Sequence, residues 1–177
     1  MVNLYRDLPP TYRGKLNVVV EIPSGSVNKI EYHADGFFRL DRSLYSAVYY
    51  PFEYGFLPQT TAGDGDATDV VLLVTHATFP GCVVQARPIG LLKMKDDKGS
   101  DDKVIAVPVN SVDPRFKKLK TIRDLEPHVR KEIEEFLMDY KKLEKRKFAK
   151  FLGWKGIKEA EKVIEKAIKK YKTEAKK

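Results

Sequence analysis

Cysteine and histidine are scarce in this 177-residue sequence, which has one cysteine and three histidines. The single Cys82 cannot form an internal disulfide, and its valine neighbours indicate a buried, unreactive thiol. His33, His76 and His128 lack the spacing of a zinc site, so we expect no function for them. These shortages exclude a disulfide scaffold and a zinc-finger module, and they fit a reducing, cytoplasmic setting.

Long apolar runs, internal repeats and Gly/Ser-rich linkers are also missing. No segment approaches the roughly 18 uninterrupted apolar residues of a membrane span, and residues 1–13 are polar and unlike a signal peptide. With 42% hydrophobic and 11% aromatic residues, the chain still has enough apolar material for a core. We therefore expect residues 1–177 to form one domain that does not enter a membrane.

The net charge of +8 is unevenly distributed along the chain. Residues 1–140 carry 18 basic and 20 acidic side chains, a net charge of −2, whereas residues 141–177 carry 15 and 5, a net charge of +10. The basic excess therefore belongs to the C-terminal part, where most lysines are expected on solvated helix faces. The body of the protein is slightly acidic and does not resemble a nucleic-acid-binding surface.

The apolar pattern predicts a β-structure followed by two helices. Between about residues 14 and 110, short apolar runs alternate with turn residues, as in an antiparallel barrel or sandwich. The period then changes to that of amphipathic helices, which we predict at about 126–145 and 156–172. Pro127 can open the first of them. The predicted architecture is a compact β-barrel with two C-terminal helices.

Two acidic loops carry the most chemical information. The first holds Asp64, Asp66 and Asp69 around a glycine, directly before the apolar run 70–74. The second lies around Gly99 and contains Asp96, Asp97, Asp101 and Asp102. Short carboxylates on turns suit Mg²⁺, which prefers oxygen ligands and shares its shell with water and phosphate. Two carboxylates about 4 Å apart repel by roughly 4 kcal/mol at an effective dielectric constant near 20, so converging loops would need cations. Asp and Gly also make ordinary turns, which remains the alternative for either loop alone.

Cationic and phenolic side chains recur between these loops. Lys29 and Glu31 are two residues apart, so in a strand they share one face. Arg42, Tyr50 and Tyr54 follow, and Tyr140 and Lys141 end the first helical stripe. This mixture suits a site for phosphate and metal. Individually, the arginine could be a surface ion pair and the tyrosines could be core residues.

Three other interpretations of the sequence can be tested. An EF-hand would need glycine at its sixth position and a carboxylate at its twelfth, but Asp69 and Thr75 stand there, so this reading fails. Residues 64–68 match the Asp-x-Asp-x-Thr string of haloacid-dehalogenase-like phosphatases, although the apolar strand follows the string here instead of preceding it. A basic OB-like module for single-stranded nucleic acid is the third reading, and the acidic barrel half argues against it.

These motifs, taken in order, resemble family I soluble inorganic pyrophosphatases in their short prokaryotic form. The resemblance runs through Glu21-Ile22-Pro23, Lys29-Ile30-Glu31-Tyr32, Asp41-Arg42, Tyr50-Pro51, Tyr54-Gly55, Asp64-Gly65-Asp66 with Asp69, Arg87-Pro88-Ile89-Gly90, Asp96 with Asp101 and Lys103, Tyr140-Lys141 and Gly153-Trp154. It covers nearly the whole chain. In the family's signature loop, Ala67 and Thr68 replace a Pro or Glu and an aliphatic residue.

The resemblance implies a fold, a reaction and a set of residue roles. The fold is a five-stranded, OB-like antiparallel β-barrel of α+β class, usually assembled as a homohexamer, and the reaction is Mg²⁺-dependent hydrolysis of pyrophosphate to two phosphates. Asp64, Asp69 and Asp101 would bind the activating metal, Asp96 with Asp101 a metal that arrives with substrate, and Glu31 a further one. Asp66 would orient and deprotonate the attacking water, Glu21 would lie on the rim, and Tyr50 would support the site. The phosphates would be bound by Lys29, Arg42, Tyr54, Lys103, Tyr140 and Lys141.

Overall fold

The computed structural model describes residues 2–97, 99–145 and 147–175. Within these ranges the chain forms ten β-strands, two α-helices and two short 3-10 helices. The strands are β1 (Thr11–Tyr12), β2 (Lys15–Ile22), β3 (Asn28–Tyr32), β4 (Phe38–Ser43), β5 (Glu53–Leu57), β6 (Thr68–Leu72), β7 (Val83–Asp96), β8 (Gly99–Ser100), β9 (Lys103–Pro108) and β10 (Ala149–Lys155). The helices are α1 (Pro127–Asp139) and α2 (Ile157–Glu174), and the 3-10 helices are Pro114–Lys118 and Ile122–Asp124.

Five strands close into a barrel. β2 pairs with β5, β5 with β6, β6 with β9, β9 with β7, and β7 returns to β2. The predicted five-stranded barrel with two helices is therefore confirmed. One pairing departs from the antiparallel pattern, because β6 and β9 run parallel. Between these two strands the chain runs back along β7, which is antiparallel to β9. β9 therefore has the same direction as β6.

The longest strand, β7, contains a proline, Pro88, near its middle. The strand continues through this proline because its pairing with β9 shifts register between Pro88 and Gly90. A local irregularity accommodates a residue that has no N–H to donate. A side chain at residue 90 would meet Ile122 and the carbonyl oxygen of Lys155, each at 2.8 Å, so glycine is required there.

Two strands had no clear sequence signal. β5 contains Gly55, where a Cβ atom would lie 2.0 Å from the carbonyl oxygen of Val19, so β5 and β2 approach too closely for a side chain. β10 lies in the lysine-rich part of the chain and pairs with β7, with a register shift between Phe151 and Gly153. Isolated glycines weaken the alternation that marks a strand. The β3–β4 hairpin forms a separate two-stranded sheet beside the barrel.

The first helix is shorter than its apolar stripe predicts. α1 ends at Asp139 and not near residue 145. The next residues turn, because Lys142 N–H donates to the Asp139 carbonyl and Glu144 N–H donates to the Lys141 carbonyl. Pro127 occupies the first turn of α1 as predicted. α2 lies close to its predicted range.

Each helix covers a different apolar cluster on the sheet. α1 packs on a cluster that includes Val71 and Ile105, and α2 packs on one that includes Val70 and Val104. Neighbouring residues of β6 and β9 therefore face opposite helices, as strand alternation requires. No helix in the described ranges is long and apolar enough to cross a membrane.

Candidate active site

A cavity of about 660 Å³ brings together the side chains that the sequence singles out. Both acidic loops reach it, since Asp64 and Asp101 line the same space. The predicted residues that line it are Glu21, Lys29, Glu31, Arg42, Tyr54, Asp64, Asp66, Asp69, Asp96, Asp101, Lys103, Tyr140 and Lys141. Tyr50 does not line the cavity and lies buried beneath it.

Strand alternation places three of these side chains on the α1 side of the sheet. Asp69 precedes Val70 on β6, and Lys103 precedes Val104 on β9, which is the residue that pairs with Val70. Asp69 and Lys103 therefore begin neighbouring strands side by side. Tyr54 on β5 joins them, and its ring centroid is 5.7 Å from the Lys103 ammonium.

The Lys103 ammonium lies between two carboxylates. Its Nζ atom donates to Asp69 Oδ2 at 2.5 Å and to Asp101 Oδ1. Burial of this 3%-exposed residue opposes the charged form, but the charges of Asp69 and Asp101 outweigh that effect and raise the pKa of Lys103. Lys103 is therefore a cation at neutral pH. Burial, reinforced by the charge of Asp69, raises the pKa of Tyr54, so its hydroxyl keeps its proton.

The first acidic loop presents three aspartates through its own turn. Asp66 N–H donates to Asp64 Oδ1 at 3.1 Å, and Gly65 has a φ angle of +97°, which a glycine adopts without strain. Asp64 and Asp66 lie on the exposed tip, while Asp69 is held at the start of β6. Two exposed carboxylates and one carboxylate fixed at a strand therefore share one side of the cavity.

The second acidic loop divides its four aspartates between two directions. Asp96 and Asp101 line the cavity. Asp97 accepts a hydrogen bond from Lys147 at 2.9 Å, and Asp102 accepts one from the Met94 N–H at 3.3 Å. Only half of this cluster is therefore available to the cavity.

The β3–β4 hairpin supplies the opposite wall. Lys29 pairs with Arg42 in the strand register, and the Lys29 ammonium contacts Glu31, as their spacing predicts. Burial opposes the charged form of Lys29, yet the hydrogen bond to Glu31 and its charge raise the pKa of Lys29. Arg42 donates to Glu144 from Nε at 2.9 Å and from Nη2 at 2.5 Å, which anchors the hairpin to the turn after α1.

Glu21 has a strongly raised pKa. Burial raises the pKa of Glu21 to about 8, and a hydrogen bond from the Tyr32 N–H at 2.8 Å only partly offsets the effect. Glu21 is therefore mostly protonated at neutral pH in the metal-free protein.

Tyr50 lies in an aromatic cluster that packs against Tyr140, which lines the cavity. Its ring centroid lies 4.6 Å from that of Phe136 and 6.1 Å from that of Tyr140, and Tyr140 stacks on Phe136 at 5.3 Å. α1 thus fixes Tyr140 through packing. Lys141 follows at once and donates to Asp96 at 3.2 Å.

Sequence reasoning missed several residues of the cavity. Asp41, Glu144, Lys147, Tyr5 and His33 also line it. His33 was expected to have no function, yet its Nε2 atom is 3.9 Å from Glu31. Asp41 was recognised only as part of a motif, and the spacing of 102 residues between Arg42 and Glu144 gives no local signal.

The donor chemistry of the cavity suits a hard divalent cation. Within the described residues, no three His, Cys, Asp or Glu side chains converge into a preformed metal site. Mg²⁺ commonly takes only one or two carboxylates and completes its shell with water and phosphate oxygens. The carboxylates of Asp69 and Asp101, which already hold a cationic group between them, match that requirement.

Comparisons with known proteins agree with this geometry. Residues 18–172 match the family model "Inorganic pyrophosphatase". An inorganic pyrophosphatase of Synechocystis is 48% identical over 160 residues, covering 90% of this chain and 93% of the relative, and one of Aquifex pyrophilus is 44% identical, covering 95% and 97%. The crystal structure of inorganic pyrophosphatase from Thermus thermophilus superposes with a TM-score of 0.92 at 41% identity, covering 97% of this chain and 99% of that one.

Proposed function

The chain belongs to the inorganic pyrophosphatase family and hydrolyses pyrophosphate to two orthophosphates, and from that premise we propose how its own residues and Mg²⁺ divide the work. The observation that supports this proposal is the single cavity, in which carboxylates from two loops face lysine, arginine and tyrosine side chains. Metals and a highly charged phosphate anion need complementary groups in one place.

The cationic wall would bind the substrate. Lys29, Arg42 and Lys141 line the cavity around its carboxylates, and each is held by an acidic partner on a different element. Tyr54, Tyr140 and Lys103 add donors from the floor. Groups fixed before substrate arrives lose little entropy on binding and stabilise charge that grows on the leaving phosphate.

The carboxylates would hold Mg²⁺. Asp64, Asp69 and Asp101 would bind one ion, Asp96 with Asp101 another, and Glu31 a further one. When bound, Mg²⁺ supplies positive charge that stabilises phosphate oxygens and lowers the pKa of water. Lys103 and the metals would together neutralise the carboxylates of Asp69 and Asp101.

Asp66 would act as the base. Its position on the exposed tip, next to Asp64 and facing the cavity, suits a carboxylate that orients water. Water oxygen forms a bond to one phosphorus, the bridging P–O bond breaks, and the water proton passes to Asp66. The leaving phosphate takes a proton from solvent, and Asp66 releases its own proton to solvent, so two orthophosphates result and the enzyme is restored.

The test is phosphate release from pyrophosphate and from p-nitrophenyl phosphate, each with Mg²⁺ and with EDTA. We expect release from pyrophosphate only, and only with Mg²⁺. Release from the second substrate alone would favour the Asp-x-Asp-x-Thr phosphatase reading. Equal release with EDTA would contradict the metal dependence.

We also propose that residues 1–177 work as one cytoplasmic catalytic domain within a homohexamer. Barrel strands and the turn after α1 both contribute to the same cavity, which supports a single domain. Exposed apolar side chains, including Tyr45, Tyr49 and Phe79, offer surface for subunit contacts. Sedimentation equilibrium would test the hexamer, and a monomer at micromolar concentration would contradict it.

A further inference from the structure

The tip of the first acidic loop has little packing of its own. Residues 63–66 are exposed, although Asp64 and Asp66 face the cavity. Hydrophobic burial therefore cannot hold these two carboxylates in place. Hydrogen bonds of the backbone around them contribute to their position.

α2 makes two hydrogen bonds to the chain that enters this tip. The Thr61 N–H donates to the Ala167 carbonyl at 3.0 Å. Three residues further along the helix, the Lys170 ammonium donates to the Ala62 carbonyl at 2.6 Å. The tip is thus attached to a helix that lies on the other side of the sheet from α1.

Ala62 is the residue that closes the tip. Its N–H donates to the Asp66 carbonyl at 2.7 Å, and its carbonyl also accepts from the Gly65 N–H at 3.4 Å. The bond from Lys170 therefore ends on the peptide that sets the loop's shape. A charged donor on a carbonyl forms a stronger hydrogen bond than a neutral one.

The base of the same loop is fixed by aromatic contacts and a hydroxyl. Tyr5 Oη donates to the Thr60 carbonyl at 2.8 Å, and its ring meets Tyr171 edge-on at 5.4 Å. Tyr171 follows Lys170 on α2. α2 therefore contacts the loop directly at Thr61 and Ala62, and indirectly at Thr60 through Tyr5.

We propose that Lys170 is a positioning residue for the metal site. Its ammonium holds the Ala62 carbonyl, and Ala62 in turn holds the backbone of Asp66 and the tip that carries Asp64. This inference rests on the proposed role of the two aspartates as metal ligand and base. Most of the described lysines in the C-terminal part are exposed, whereas Lys170 is half-buried and bonds to a backbone carbonyl.

The experiment compares Lys170→Met with Lys170→Arg and a control. Lys166→Met changes an exposed lysine one turn earlier on α2, so it matches the loss of charge and the helix propensity. Binding of Mg²⁺ is measured by calorimetry, and exchange of the Ala62, Gly65 and Asp66 amide protons by NMR. Steady-state hydrolysis is followed against Mg²⁺ and against pyrophosphate separately.

We expect Lys170→Met to bind Mg²⁺ on the order of tenfold more weakly and to exchange the Ala62 amide faster. Hydrolysis should need more Mg²⁺, while KM for pyrophosphate at saturating metal stays near its original value. Lys170→Arg should restore most of the affinity, and Lys166→Met should match the unmodified protein.

Two results would overturn the proposal. One is Mg²⁺ binding by Lys170→Met that equals that of Lys166→Met, and the other is an arginine variant as impaired as the methionine variant. If the unmodified protein itself hydrolyses no pyrophosphate with Mg²⁺, the proposed function fails instead. The amide exchange of the loop would still report whether Lys170 anchors it.

Discussion

Replacing Lys103 by methionine would remove the cation between Asp69 and Asp101 while nearly keeping the side-chain length. The ammonium lies 2.5 Å from Asp69, and the lysine side chain is only 4% exposed. The variant leaves two carboxylates facing each other without the group that compensates them. We therefore expect a clear loss of stability in the absence of metal.

The size of the expected stability loss follows from the burial of the Lys103 ammonium. Opposite unit charges about 4 Å apart attract by roughly 4 kcal/mol at an effective dielectric constant near 20, and part of that is offset by the cost of removing the ammonium from water. Removing one partner of a buried ion pair costs about 3–5 kcal/mol. Because the Asp69 side chain is 28% exposed, water can solvate its unpaired charge and reduce this cost. We therefore expect the free energy of unfolding to fall by about 3 kcal/mol.

Urea denaturation at pH 7 in EDTA would measure the change. Lys93→Met is the matched control, since the Lys93 ammonium is 3.8 Å from Asp102 and the Lys93 side chain is 41% exposed. Such a pair contributes about 0–1 kcal/mol. A second aspartate change, Asp101→Asn in the Lys103→Met background, should recover part of the loss because one unpaired charge is gone. Added Mg²⁺ should stabilise Lys103→Met more than the unmodified protein.

A Lys103→Met protein that unfolds like Lys93→Met in EDTA would refute this reasoning. The two carboxylates would then be stabilised by solvent alone. Equal Mg²⁺ stabilisation of the variant and the unmodified protein would also contradict it.

Three further predictions concern single side chains. Asp66→Asn should keep the fold and Mg²⁺ binding but lower kcat by about 10²–10⁴-fold; turnover near the original value at neutral pH would remove Asp66 from the role of base. Because the pKa of Glu21 is about 8 in the folded protein, the free energy of unfolding in EDTA should fall as pH rises from about 5 to 8, by at most about 1.4 kcal/mol per pH unit. Glu21→Gln should flatten that slope in pH-dependent urea unfolding, and an unchanged slope would contradict the assignment. Thr68→Val should stabilise the protein by about 1 kcal/mol, since Thr68 Oγ1 is buried and has no hydrogen-bond partner among the described residues. In thermal unfolding, Thr60→Val should do the opposite, because Thr60 Oγ1 donates to the Leu57 carbonyl and accepts from the Thr68 N–H.

The acidic loops were predictable from the sequence because their signals are local. Aspartates flanking a glycine just before an apolar run mark both a turn and the start of a strand, and Asp69 occupies that place on β6. The pair of Lys29 and Glu31 follows from strand spacing in the same way. Local spacing thus predicted most of the aspartates that line the cavity and the shared face of Lys29 and Glu31.

Long-range contacts and broken patterns account for what was missed. Glu144 meets Arg42 across 102 residues, and Lys170 meets Ala62 across 108. No spacing rule connects such partners. The predicted end of α1 near residue 145 was wrong. The apolar stripe continues past Asp139, whereas the backbone turns there and brings Tyr140 and Lys141 to the cavity. β5 was missed because Gly55 interrupts its pattern for a tertiary reason, the close approach of β2.

The parallel register of β6 and β9 also determines where the chain can tolerate changes in length. Since Val70 pairs with Val104, a one-residue deletion within either strand would turn Asp69 or Lys103 toward the α2 side. The same deletion would expose a core valine, so catalysis and folding would be lost together. Natural or engineered insertions should therefore be confined to exposed hairpin tips such as the turn at Gly36, where the pairing of β6 with β9 is not interrupted.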